Sequence, residues 1–425
     1  MNRLVFSVFL LLLVTGQRAY AQRDAASWRA DIDVLRRELP KRHPNLFRYY
    51  SREAFERELE QVAAQSEGKT DLQIGLALQA VLAKCRDANT RVELSSLFQQ
   101  SGKVIPLGLG WYAGGLYVSA TVKRFAPAMG MRVVSINGLS PEAMLEQLGR
   151  FIPQENAEAL RRDGPMWLRF PQVVEQAGVG RGDTLAILLT DDAGKQFGMY
   201  FHPIDFRKDR DGAQPLQFTP KEPDLRWEPV KQVFSLHWLE AQQIIYVQYN
   251  GCFSREMLLA MGDSASAMQV PLFQPVLDSM LALLDAYPLS RLFFDLRFNS
   301  MGHPADGLRL VEHLTARPLV NQPKRLFVAV NRYTAGPAVE IAAAFQRQTK
   351  AALLGEPPAQ RPNHTGDPDF LVLPNSRLQV FYGTRPVQAL PGDPDALRID
   401  IPIEMPFQAF RQGRDPMLDY VRNMP

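Results

Sequence analysis

Residues 326–361, LFVAVNRYTAGPAVEIAAAFQRQTKAALLGEPPAQR, constrain the fold of this chain more than any other stretch. Leu326–Val330 is an apolar run of strand length. Residues 331–337 are polar, small and turn-forming. Residues 338–345 are strong helix formers. Pro337 suits the first helical position, where a missing N–H costs nothing. A second apolar run, 351–354, is closed by Gly355-Glu356-Pro357. Strand, tight turn, helix and strand together read as a βαβ unit. Enzymes present nucleophiles at such turns, because N–H groups at a helix start stabilise an oxyanion.

The stretch resembles the tail-specific, or C-terminal processing, serine peptidases. In that family a Ser-Ala-Ser-Glu-like turn carries the nucleophile. A lysine in Val-Gly-Glu-Pro-Thr-x-Gly-Lys is its general base. The framework is present here and the chemistry is not. Pro337, preceded by Gly336, falls at the nucleophile position, and Arg361 falls at the lysine position. Proline has no nucleophilic atom, and a guanidinium does not give up a proton near neutral pH.

Further family positions follow the same pattern. Residues 86–90, Arg-Asp-Ala-Asn-Thr, match a Gly-Asp-x-His-Thr turn at Asp87 and Thr90, with Asn89 replacing the histidine. Residues 295–302 match Asp-Leu-Arg-x-Asn-x-Gly-Gly, the turn that shapes the oxyanion hole, at Asp295, Leu296, Arg297, Asn299 and Gly302. Phe298, Ser300 and Met301 intrude there, and Met301 adds bulk where a reacting carbonyl needs close backbone approach. Residues 413–416, Gly-Arg-Asp-Pro, match a family ending. Ser300 and Thr334 are the candidates for a relocated nucleophile, with His303 and His364 as bases; turn capping is the plain alternative for both hydroxyls. Asn363 and His364 follow the lysine position as in similar small members, which implies substrate contact; a surface loop is the alternative. Arg361 suits an anionic ligand group, unless it pairs internally with an acid such as Glu340 or Glu356.

The start of the chain reads as an export signal. Arg3 is positive, residues 4–14 are apolar and Ala19-Tyr20-Ala21 is a small-residue cleavage site. The apolar run is short for a membrane span, and no integral segment is expected after cleavage. The mature protein is expected to begin near Gln22 and to reside in the periplasm. A net charge of +3 does not argue for nucleic acid. Cys85 and Cys252 lie far apart and have no metal-ligand spacing. A disulfide and two buried thiols both remain open. No cofactor and no metal are implied.

Four units follow the signal (1–21). Residues 22–100 read as helices, with Trp28, Ile32, Leu35 and Leu39 at helical spacing before a break at Pro40. Ser51 caps a second helix, and a third runs from Thr70 to Cys85. Residues 101–206 are strand-rich and resemble a PDZ domain with a helical insertion at 141–180. Leu107, Gly108, Leu109 and Gly110 would form its peptide-carboxylate loop. A small β-domain that only packs against its neighbour is the alternative. Residues 207–232 read as a linker. Residues 233–425 alternate strands and helices, and the resemblance implies a crotonase-like α/β domain.

The fold class is therefore α+β and multidomain. The resemblance implies an exported serine-type peptidase that acts on polypeptide tails. The substitutions point to a degenerate copy that binds peptides, a peptide C-terminus or a partner. An active enzyme with a rearranged nucleophile and base, and a structural scaffold, are the competing readings.

Overall fold

The computed structural model describes residues 23–180, 182–205, 212, 214–227 and 233–424. The export signal lies outside these residues, as does much of the expected linker. Helix Ala25–Arg42 buries Trp28, Ile32, Leu35 and Leu39 on one face. It does not break at Pro40, as the sequence suggested, but continues to Arg42. A proline in the last turn forfeits one i→i−4 bond, which the packed apolar stripe outweighs. Helix Arg52–Ala64 begins at Ser51, whose side chain accepts from the Ala54 N–H. Helix Asp71–Ala83 begins with a capping box between Thr70 and Gln73.

The second unit is an antiparallel sheet of strands Gly108–Tyr112, Gly115–Val122, Arg132–Ile136, Leu185–Thr190 and Gln196–Phe201, in that order. The expected insertion is helical: Pro141–Leu148, Glu158–Trp167 and Pro171–Gln176. The stretch Leu107–Gly110 does not form the expected loop. Leu107 is buried in the core, and Gly108 opens an edge strand. Gly108 faces Ala120 so closely that a Cβ would sit 2.8 Å from the alanine methyl, which is why glycine stands there. The expected linker is also corrected in its described part. Pro215–Gln217 pairs with Gly115–Val122, so this stretch adds a strand to the sheet.

The third unit is a six-stranded sheet. Its order is Ile401–Pro402, Ala352–Gly355, Leu326–Val330, Arg291–Asp295, Ile244–Tyr249 and Phe234–Leu239. All its pairings are parallel except the last. The expected βαβ unit is present as Leu326–Val330, helix Pro337–Gln348 and Ala352–Gly355. Its helix buries Ala338, Val339, residues 341–344 and Phe345 against helix Ala305–Thr315. The two helices touch at Gly307, where a Cβ would overlap Ile341.

The units do not follow the chain as simply as the sequence suggested. Hairpin Thr365–Val372/Gln379–Pro386 pairs with Arg91–Val92 from the first unit. One core runs from Trp28 through Trp111 and Leu189 to Val380 and Tyr382. The N-terminal helices, the β-unit and this hairpin therefore share a core, while the parallel sheet has its own around Phe294 and Val328. Cys85 and Cys252 are free and buried. Burial pushes both thiols up to about 12. Among the described residues no helix is long and apolar enough to cross a membrane.

Candidate functional site

The turn between Leu326–Val330 and Pro337–Gln348 is built as an elbow. Gly336 caps the helix at φ 53°, ψ −126°, a conformation other residues resist. The sharpest point of the turn is thus Gly336, one residue before the position the motif match suggested. Pro337 is the first helical residue. Neither carries a nucleophilic atom. The Gly336 N–H donates to the Gln360 Oε1 at 2.5 Å, and the Ala335 N–H donates to the Asn299 carbonyl at 3.1 Å. The elbow is therefore tied to both neighbouring turns.

The oxyanion-type turn is held from below. Asn299 is buried and donates through Nδ2 to the Tyr249 carbonyl at 3.0 Å. Gly302 sits at φ 106° beside Cys252, where a Cβ would overlap the Cys252 carbonyl. Hydrogen bonds from Cys252 N–H to Met301 O and from His303 N–H to Cys252 O, both 2.9 Å, pin the turn. Phe298 and Met301 do not plug it, contrary to expectation. They are 41% and 64% exposed, and Tyr333 beside the elbow is 49% exposed. The rim is apolar and open to solvent.

The relocated-nucleophile candidates fare differently. Thr334 is buried; its hydroxyl donates to the Leu296 carbonyl and accepts from the Asn331 N–H, each at 3.1 Å. It is a turn brace. Ser300 is exposed. His303 is exposed and accepts through Nδ1 from the Ala305 N–H at 3.3 Å. His364 is buried, with Nδ1 3.0 Å from the Arg361 carbonyl, so that nitrogen carries the proton. Among the described residues no hydrogen bond joins Ser300 or Thr334 to either histidine. Asn89 donates through Nδ2 to the Thr365 carbonyl at 2.7 Å, and Asn363 holds Leu390 and Gly392. Asn363 and His364 are buried rather than placed on a surface loop.

Arg361 does not face an open anion site. Its Nε donates to the Glu155 carbonyl at 2.9 Å, its Nη1 pairs with Asp393 at 3.2 Å and bonds the Tyr49 hydroxyl, and its Nη2 pairs with Asp395. Its partners are neither of the expected acids. Glu340 pairs with Arg385, and Glu356 with Arg332. A guanidinium with every edge occupied has little left for a ligand.

Three buried groups, Glu155, Arg332 and His43, escaped the sequence reading, and a fourth, Arg297, was read only as part of its motif. Glu155 accepts from the Ala88 and Arg361 N–H groups at 2.9 Å and from Gln360 Nε2 at 3.4 Å. Burial nonetheless pushes its carboxyl up from the usual range. It links the Asp87 turn to the Arg361 turn and, through Gln360, to the elbow. Arg332, also buried, donates to the Trp111 carbonyl at 2.8 Å and pairs with Glu158, Glu356 and Glu404. It joins the elbow to the edge strand of the β-unit. Arg297 lies fully buried between Asp295 and Asp415, at 2.6 Å from each. His43, also buried, contacts Asp87 at 2.6 Å.

Comparison with known proteins adds the fold. No family profile and no curated protein sequence matches the chain. Among solved structures, mature CPAF complexed with lactacystin superposes with a TM-score of 0.57 at 9% identity, over 94% of this chain and 98% of that one. A mutant form of CPAF gives 0.56 at 9% identity, over 94% and 96%. The chain shares the fold of mature CPAF. The photosystem II D1 C-terminal processing protease is also found, with a TM-score of 0.40 at 13% identity over 92% of this chain and 98% of that one. Among the described residues no group of His, Cys, Asp and Glu is arranged to hold a metal ion.

Proposed function

We propose that this chain is a catalytically silent protein of tail-specific peptidase fold that binds polypeptide rather than cleaving it. One observation carries the reading: the elbow is intact in backbone form, yet Gly336 and Pro337 offer no nucleophile, and Arg361 cannot serve as a base. Stabilising an oxyanion has no use without an attacking atom. The binding half of the proposal rests on the rim. Phe298, Met301 and Tyr333 are exposed apolar side chains gathered at the elbow, where an extended polypeptide would lie. The PDZ-like reading of the β-unit belongs here too, with the edge strand Gly108–Tyr112 as the place for strand addition.

Calorimetric titration with a reduced, unfolded protein tests this directly. Binding without cleavage is expected. Phe298→Asp or Met301→Asp should each weaken it roughly tenfold, the loss of about 1.4 kcal/mol from one apolar contact. Binding by both variants as tight as by the unmodified chain would move the contact away from the elbow, and no binding by the unmodified chain would favour a scaffold.

We further propose that the chain is exported, on the strength of Arg3, the apolar residues 4–14 and Ala19-Tyr20-Ala21. N-terminal sequencing of the mature protein should begin at or near Gln22. Intact Met1 in a membrane fraction would overturn this.

A further inference from the structure

A cleft of about 760 Å³ opens where the N-terminal helices, the helical insertion and Pro357 meet. Its size suits a short peptide or small ligand, not a single water. The charges that line it can be accounted for one by one. Lys84 is neutralised by Glu58 at 2.6 Å. Glu158 pairs with Arg161 and Arg332, and Asp395 pairs with Arg361. Arg86, Arg150 and Glu146 remain. Arg86 donates through Nε to the Gln154 carbonyl at 3.0 Å and through Nη2 to the Glu155 carbonyl at 3.5 Å, and lies over the Tyr49 ring at 5.0 Å. Arg150 donates to the Gln176 carbonyl at 3.4 Å. Among the described residues neither guanidinium has a carboxylate partner, although Arg361, Arg332 and Arg297 each hold at least two.

We propose that this cleft is a second binding site, for a carboxylate-bearing peptide end. The two guanidinia would take the carboxylate, and the Tyr49 and Tyr50 rings would flank the preceding residues. Charge and shape favour the same ligand. A guanidinium fixed by backbone carbonyls and stacked on an aromatic ring is pre-organised, so little entropy is lost when an anion arrives. The start of helix Glu158–Trp167, whose N-cap Ala157 lines the cleft without a side-chain cap, adds a favourable field for the same charge. The lining holds three cations and three carboxylates, but of the groups there without an ion-pair partner among the described residues the two guanidinia outnumber the one carboxylate, Glu146. The cleft floor includes Gln154 and Asn156, which flank Glu155, so a ligand here rests on the segment that holds the Arg361 turn.

The ligand class rests on the polypeptide-binding reading above, but the location does not, and the experiment keeps them apart. Short peptides with free and with amidated C-termini are titrated into the full mature chain, into Arg150→Glu and Arg86→Lys, and into Met301→Asp. The free form should bind about tenfold more tightly than the amidated form, with the advantage falling as salt rises. Arg150→Glu should abolish that advantage, and Met301→Asp should leave it intact. Arg86→Lys keeps the charge and loses the fork, so it should retain only part of the advantage; circular dichroism confirms that each variant is folded. Succinate, tested as a competitor, distinguishes a peptide end from any small carboxylate: displacement only at concentrations far above those of the peptide supports the peptide end, whereas equal potency overturns it. An advantage lost in Met301→Asp but kept in Arg150→Glu overturns the cleft and leaves binding at the elbow standing. Equal affinity for the free and amidated forms overturns the cleft outright.

Discussion

Replacing Arg297 with methionine is expected to cost about 3–5 kcal/mol of stability, the usual range when one partner of a buried ion pair is removed. Arg297 is fully buried, donates to Asp295 through Nε and Nη2, and reaches Asp415 through Nη1 and Nη2. Methionine would fill most of the space and leave two carboxylates facing each other without the guanidinium that bonds both, although the buried Arg226 still acts on them through space. The triad ties the end of strand Arg291–Asp295 to the start of helix Pro416–Arg422. Its pH dependence gives a second readout. Burial opposes ionisation of Asp415, yet Arg297 holds its carboxyl below the ordinary value of 3.8. A depressed carboxylate stabilises the fold above that ordinary value and loses its contribution as pH falls through the folded value. The native chain should therefore weaken on acidification. In Arg297→Met the sign reverses, because protonating Asp415 relieves its repulsion with the neighbouring carboxylate. Urea unfolding of both proteins across pH checks this: the stability gap should narrow toward low pH, and a constant gap would refute the electrostatic account.

Alanine at Gly302 should cost roughly 3 kcal/mol, the sum of a strained backbone and an overpacked contact. Gly302 lies at φ 106°, and its missing Cβ leaves room for the Cys252 carbonyl. Gly138 is the control. It has φ 82° with nothing within 4 Å of where an alanine methyl would stand, so Gly138→Ala should show strain alone, about 1 kcal/mol. Thermal unfolding of the two variants separates the terms. Equal losses would mean that the close approach at Cys252 relaxes at no cost.

The parts legible in the sequence were those with a local period or a local turn. Leu326–Val330 and Pro337–Gln348 announce themselves by an apolar run, a small-residue turn and an N1 proline, and both lie where expected. Ser51 was readable as a cap because capping is settled within four residues, whereas Thr70 was read only as the start of its helix and proves to cap it. The stretch Leu107–Gly110 misled because glycines mark both loops and close strand contacts, and only the facing Ala120 decides between them. The site network was invisible for a different reason. Glu155 is one glutamate in a helical insertion, and its partners stand at Ala88, Gln360 and Arg361. Arg297 and Asp415 are 118 positions apart. The two family motifs that contain them were recognised singly, but nothing local says that one arginine reads both. Arg361 was expected to meet Glu340 or Glu356, while the fold brings it Asp393 and Asp395.

The central claim is that an intact elbow has been left without a nucleophile or a base. Incubation of the mature chain with an unfolded protein substrate, alongside a serine-reactive covalent probe, tests it most directly. The account predicts neither turnover nor labelling, and little restored by Pro337→Ser or Arg361→Lys alone, since nucleophile and base act as a unit. Clear turnover by the unmodified chain, with probe labelling that disappears in Ser300→Ala, would contradict it.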